Sequence, residues 1–126
     1  MHVIQNYLWV LYIALAAICN AVMDICKDKY STSIFKHGNP YFWDGTVSWK
    51  SKYVNYDVKQ GRNNTPVWFT DAWHLFKSLM IVFLAIGLQL ASQYFTPIYS
   101  YLEAVVIFGL VWNLTFNLFY NKLLRK

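Results

Sequence analysis

Charge is what this chain has least of. Acidic and basic residues together fill 13% of its 126 positions, against roughly 25% in a soluble domain. Two cysteines are too few for a disulfide scaffold. Cys19 and Cys26 stand on one predicted helix about 10 Å apart by helical rise, beyond disulfide reach, so they read as packed free thiols. The chain also lacks a P-loop, GxSxG, HExxH, CxxC or dinucleotide fingerprint, which leaves soluble-enzyme chemistry without support. No basic n-region precedes Tyr7, and Ile18 before Cys19 does not suit a lipoprotein-like cleavage site, so a cleaved signal peptide fits poorly. Internal repeats and low-complexity stretches are absent too.

Apolar side chains are what it has in excess. They make up 57% of the residues, with aromatics alone at 20%. A chain so rich in apolar surface is not disordered, and a globule of this length has too little interior to hide it all. The reading is therefore an all-α integral membrane protein, a single membrane domain over residues 1–126. Three stretches reach the ~18–20 residues needed to cross a hydrocarbon core. Residues 3–23 contain no Lys, Arg, Asp or Glu; residues 75–92 are apolar apart from Lys77, Ser78, Gln89 and the terminal Ser92; residues 102–120 are apolar apart from Glu103, Asn113, Thr115 and Asn117. A long aromatic-rich segment, residues 38–70, separates the first two.

The eleven basic residues set the expected orientation. They lie around the segment between the first two spans (Lys27 to Lys77) and after the third (Lys122, Arg125, Lys126). Three crossings place all of them on one side. By the positive-inside rule the long loop and the C-terminus are cytoplasmic and the N-terminus is outside. The net charge of +5 then reflects topology and anionic headgroups, with the lipid bilayer as partner and no nucleic acid.

Local signals refine the boundaries. From Asp24 to His37 there is no Gly or Pro, and Gly38-Asn39-Pro40 then supplies a helix stop, so the first helix is expected to outlast the membrane. Thr70 can cap the second helix, with Asp71 in its first turn where the macrodipole favours an acid. Trp43, Trp49, Tyr53, Trp68 and Trp73, interleaved with Lys77 and the loop lysines, suit the headgroup layer. The loop is expected to lie along the cytoplasmic face.

Polar residues placed by depth converge on that face. Asn20, Asp24 and Asp28 are spaced by four on the first helix, Asp71 and His74 by three at the start of the second, and Asn113, Asn117 and Asn121 by four on the third. Each set shares a helix face. Since polar groups facing lipid are costly, the three faces are expected to turn toward one another. Two readings stay open. In one, Asp24, Asp71 and His74, with Asp28 and His37 nearby, form an acid–base site or bind a divalent transition metal, for which carboxylate and imidazole are suitable ligands. In the other, Asn20, Asn113, Asn117 and Asn121 bond across helices, Asp71 caps its helix, and Asp24 and Asp28 pair with Lys27, Lys29 or Lys77. Glu103 is expected to cap the third helix, and Gln89 and Ser92 to pair with Gln5 or Asn6. The acceptor patterns at Asn63 and Asn113 are discounted, one as cytoplasmic and one as buried.

The runs Asn20-Ala21-Val22-Met23-Asp24, Phe42-Trp43, Ser48-Trp49-Lys50-Ser51-Lys52-Tyr53 and Asp71-Ala72-Trp73-His74-Leu75-Phe76-Lys77 together resemble a family of small uncharacterised integral membrane proteins of bacteria and their phages, marked by SWxxKY and DAWH signatures. The likeness covers roughly residues 20–80. It implies a bacterial inner membrane and directs attention to the loop and the Asp71–Lys77 segment. The functional expectation is a structural or interaction component that associates with itself or with another membrane protein. A membrane-embedded metal or acid–base site and a holin-like pore are the alternatives.

Overall fold

A computed structural model describes residues 7–63, 66–93 and 98–125, with side chains described from residue 102 in the last segment. Three long helices dominate: α1, Leu8–Asp28; α4, Ala72–Ser92; and α5, Ile98–Leu118. Each has 21 residues, about 31 Å at helical rise, and all three are long and apolar enough to cross a membrane. Two four-residue helices, α2 (Pro40–Trp43) and α3 (Gly45–Ser48), lie between α1 and α4. Short 3-10 turns make up much of the rest of that connection. No β-strand occurs among the described residues; two isolated bridges, Ser33 to Arg125 and Tyr53 to Arg62, are the extent of extended pairing.

Helix α1 is the centre of the molecule. It packs chiefly on α4 and also on α5, while α4 and α5 scarcely touch. Half of the apolar window of α1 is buried, against 6% for α4 and none for α5. Small residues make this possible: Ala16, Ala17 and Ala21 are fully buried on α1, and Gly87 faces it from α4. A Cβ at Gly87 would lie 3.0 Å from Ile13 Cδ1 and 3.4 Å from Tyr12 Cβ, so the helices cross there at glycine distance, as close-packed membrane helices do.

A second centre of packing closes the loop end. Ala21, Val22, Ile25 and Cys26 of α1, Ala72 of α4 and Leu124 form one buried cluster, with Phe35, Phe42, Trp43, Phe76, Phe116 and Phe119 against it. The end of α1, the start of α4 and the end of α5 therefore meet there, and α4 runs antiparallel to both neighbours. Gly45 brings α3 onto this cluster: a Cβ there would sit 3.0 Å from Lys27 Cα and 3.1 Å from the Cys26 carbonyl oxygen.

Helix α1 stops at Asp28, well before the expected Gly38-Asn39-Pro40 signal. Lys29 leaves helical geometry at φ −135° and ψ 24°, and hydroxyl side chains hold the turn that follows. Thr32 Oγ1 donates to the Lys29 carbonyl at 3.2 Å and Ser33 Oγ to that of Tyr30 at 2.7 Å, bonds that favour a turn over continued helix. Ile34 then donates its N–H to the Leu124 carbonyl at 2.9 Å, tying the chain after α1 to the C-terminal segment. Helix α5 arrives there through a π-helical turn, Phe119–Leu123. Asn39 caps α2, whose first residue is Pro40, so the expected stop signal is in fact a start. Tyr30 holds this turn, its hydroxyl donating to the Gly38 carbonyl at 3.0 Å. Burial first, and then the Asp44 carboxylate, push the Tyr30 phenol above its ordinary range, so it remains a donor.

Candidate functional site

Asp71 and His74 form the one close carboxylate–imidazole contact among the described residues. Asp71 is 1% exposed and is itself the N-cap of α4. This corrects the expected cap, because the Thr70 hydroxyl instead donates back to the Val67 carbonyl at 2.9 Å. The Asp71 Oδ1 accepts the His74 backbone N–H at 2.8 Å. Its carboxylate also faces His74 Nδ1, at 3.0 Å to Oδ1 and 2.8 Å to Oδ2. One acid thus satisfies a backbone donor at the helix start and orients an imidazole one turn later. Facing only acceptors, Nδ1 carries the proton, which leaves Nε2 as the atom free for chemistry.

The pair lines a recess of about 300 Å³ with Lys27, Gly45, Ser48, Trp49 and Trp73. Ser48 is 1% exposed, and Lys77 Nζ lies 4.9 Å from the Trp73 ring centroid, a cation–π distance. Ser48-Trp49 and Asp71-Trp73-His74 come from segments far apart in sequence, and the fold brings both to the lining of this recess. Ser48, Gly45 and Lys27 went unnoticed as site residues in the sequence. The signal available for Ser48 was its place in the Ser48–Tyr53 run; nothing local marked the other two.

The remaining candidates are dispersed. Asp24 is half-buried and Asp28 exposed on α1. Neither forms an ion pair with Lys27, Lys29 or Lys77 within 4.0 Å. No group of three or more His, Cys, Asp or Glu among the described residues is placed to hold a metal ion, so the proposed ligand set Asp24, Asp28, Asp71 and His74 does not assemble. His37 is exposed in the turn before α2. Glu103 sits inside α5, which begins at Ile98, and is exposed; it is not a cap. Ser92 Oγ donates to the Gln89 carbonyl at 2.8 Å, while Gln5 and Asn6 lie outside the described residues.

The amide stripe departs furthest from expectation. Asn113, Asn117 and Asn121 are all exposed and bond along their own helix. Among the described residues, no side-chain hydrogen bond from Asn20 or from these residues reaches another long helix. An asparagine in a helix can bond the carbonyl one turn back, and here that local partner wins because α1 covers the other side of α5.

The aromatic residues divide. Trp43 stacks on Phe35 at 4.4 Å and lies edge-on to Phe42 at 5.1 Å, half-buried against the core cluster. Trp49 and Trp68 are exposed, with Lys50 Nζ 5.5 Å from the Trp49 ring centroid and Lys52 Nζ 5.5 Å from that of Tyr53. Comparison of the chain with family models, with curated proteins and with solved structures finds no significant match.

Proposed function

We propose that this chain is a three-span integral membrane protein with a structural or interaction role, its loop and C-terminus cytoplasmic and its N-terminus outside, in a bacterial inner membrane. The observation that carries the reading is the unequal burial of the three apolar helices. Helix α1 is half buried, whereas α4 and α5 turn Ile81, Val82, Ile86, Leu88, Val105, Val106, Leu110 and Leu114 outward. Water does not tolerate such a wall, and lipid or another membrane helix does. The position of the basic residues agrees with it. The basic loop and the basic tail come together at one end of the bundle, joined by the Ile34–Leu124 bond, as three crossings and the positive-inside rule require. Membership of the SWxxKY and DAWH family is part of the same proposal.

Alkaline carbonate extraction of membranes tests insertion, and labelling tests orientation. Gln60 is exposed, whereas the native Cys19 and Cys26 are buried. A Gln60→Cys variant is expected to react with an impermeant maleimide in inverted vesicles and to resist it in intact cells. The reverse pattern refutes the orientation, and release of the chain by carbonate refutes insertion.

A second reading is favoured by the oriented imidazole: an acid–base centre in which His74 Nε2 exchanges a proton with a molecule in the recess and Asp71 holds the ring. Under the structural reading, purified protein in detergent carries a substoichiometric amount of transition metal, and the Asp71→Asn/His74→Gln double variant assembles as the parent does. A stoichiometric metal in elemental analysis, lost on His74→Gln, would displace the structural reading.

A further inference from the structure

From the outward amide stripe of α5, we infer that the protein forms a symmetric dimer through this helix, with Asn113 and Asn117 of one copy bonding to the same residues of the other. The inference rests on α5 crossing a membrane. The apolar stretch containing it runs from Leu102 to Leu123, which puts Asn113 at its midpoint and Asn117 about 6 Å nearer the loop end. These are depths where no water reaches a polar group and an unmet donor or acceptor is costly.

The local bonds leave most of that demand unmet. Asn113 Nδ2 donates to the Gly109 carbonyl at 2.9 Å and Asn117 Nδ2 to the Asn113 carbonyl at 2.8 Å. A carboxamide has two N–H donors and an oxygen with two lone pairs. One donor per side chain is therefore accounted for, and the Asn117 oxygen accepts from Asn121 Nδ2 at 3.4 Å; the second donors and the Asn113 oxygen, on exposed side chains, have no partner among the described residues. The flank is clear as well: a Cβ at Gly109 would meet nothing within 4 Å, so no part of the described chain covers that side.

The chemistry of the stripe identifies the occupant. A two-fold interface needs a patch complementary to itself, and a carboxamide, being donor and acceptor at once, is such a group. Two copies inserted the same way are related by an axis along the membrane normal, so their α5 helices run parallel. Each amide then meets its own counterpart at its own depth. Val106, Leu110, Asn113 and Asn117 recur at intervals of four, three and four, the spacing of a left-handed helix seam in which a polar position sets register and partner number. Val106 and Leu110 are 61% and 58% exposed, available to pack above the amides. Lipid satisfies none of these groups.

The test uses the full chain in phosphatidylethanolamine–phosphatidylglycerol vesicles at a series of protein-to-lipid ratios. Energy transfer between donor- and acceptor-labelled Gln60→Cys chains reports association. The Asn113→Leu/Asn117→Leu variant is expected to need a roughly tenfold or higher ratio for half-association. Its helix content by circular dichroism should match the parent, because the substituted amides touch only their own helix. In a separate pair of variants, oxidation should join Val106→Cys chains and not Val82→Cys chains, Val82 being exposed on α4. Association unchanged by the leucines, preferential joining through Val82→Cys, or a parent monomeric at every ratio overturns the dimer. Carbonate extraction of the same vesicles separates the two levels: a chain retained in the bilayer yet monomeric refutes the dimer alone, and a chain released refutes insertion as well.

Discussion

Replacing Gly87 by leucine is expected to destabilise the helical bundle by about 3 kcal/mol, net of two opposing effects. Removing a glycine from a helix interior is favourable by about 1 kcal/mol, since glycine loses the most backbone freedom on ordering. Against this, Ile13 Cδ1 would be 3.0 Å and Tyr12 Cβ 3.4 Å from the first added carbon, and three further carbons would have to be accommodated at the same crossing. The flexible end of Ile13 can yield to one methyl group, so Gly87→Ala should come out near neutral. It cannot yield to an isobutyl group without separating α1 from α4, the main contact of the molecule. Denaturation by a harsh surfactant in mild-detergent micelles, followed by circular dichroism, measures the difference. A Leu variant with the parent midpoint would show that the crossing at Gly87 bears no weight.

Substitution of Asp71 by alanine is expected to cost about 2 kcal/mol, the upper range for loss of a helix N-cap. The high end applies because two contacts go together: the acceptor for the His74 backbone N–H and the partner of its imidazole. Asparagine keeps an oxygen in the capping position and loses the charge, so Asp71→Asn should cost about half as much. Hydrogen exchange locates the effect. The amides of Trp73, His74 and Leu75 should lose protection in the alanine variant and largely keep it in the asparagine variant, with the middle of α4 unchanged. Equal protection in all three proteins would mean that Asp71 does not hold the start of α4 and that its burial serves the recess alone.

Much of the architecture was legible because hydropathy and helix length are local properties. The second span, residues 75–92 by sequence, differs from α4 only at its start, where Asp71 takes the capping role given to Thr70. Helix α1 covers Leu8–Asp28 and so runs past the span expected over residues 3–23, of which residues 3–6 lie outside the described part. There the hydropathy window ended at Asp24, yet the helix continues through Asp24, Lys27 and Asp28, as helical hydrogen bonding does not depend on polarity. The pairing of the chain after α1 was invisible in sequence because Ile34 bonds to Leu124, ninety positions later.

The candidate site was half legible. Asp71 and His74 share a helix and a spacing of three, so their meeting is a local event that periodicity captures. Asp24 and Asp28 were assigned to the same site by depth alone. Depth places residues on a common plane and leaves open where on that plane each one points.

What the sequence determined by itself is the count and order of the apolar helices, the long aromatic connection and the gathering of positive charge around it. Tertiary structure decided which helix is central, that Ser48 and Lys27 join Asp71 and His74 around one recess, and that the amides of α5 look outward. The physical reason lies in helices that are apolar almost all the way round. Such a helix carries no marked inner face, so only the helix that arrives beside it determines which side is covered and which polar groups are left to find partners elsewhere.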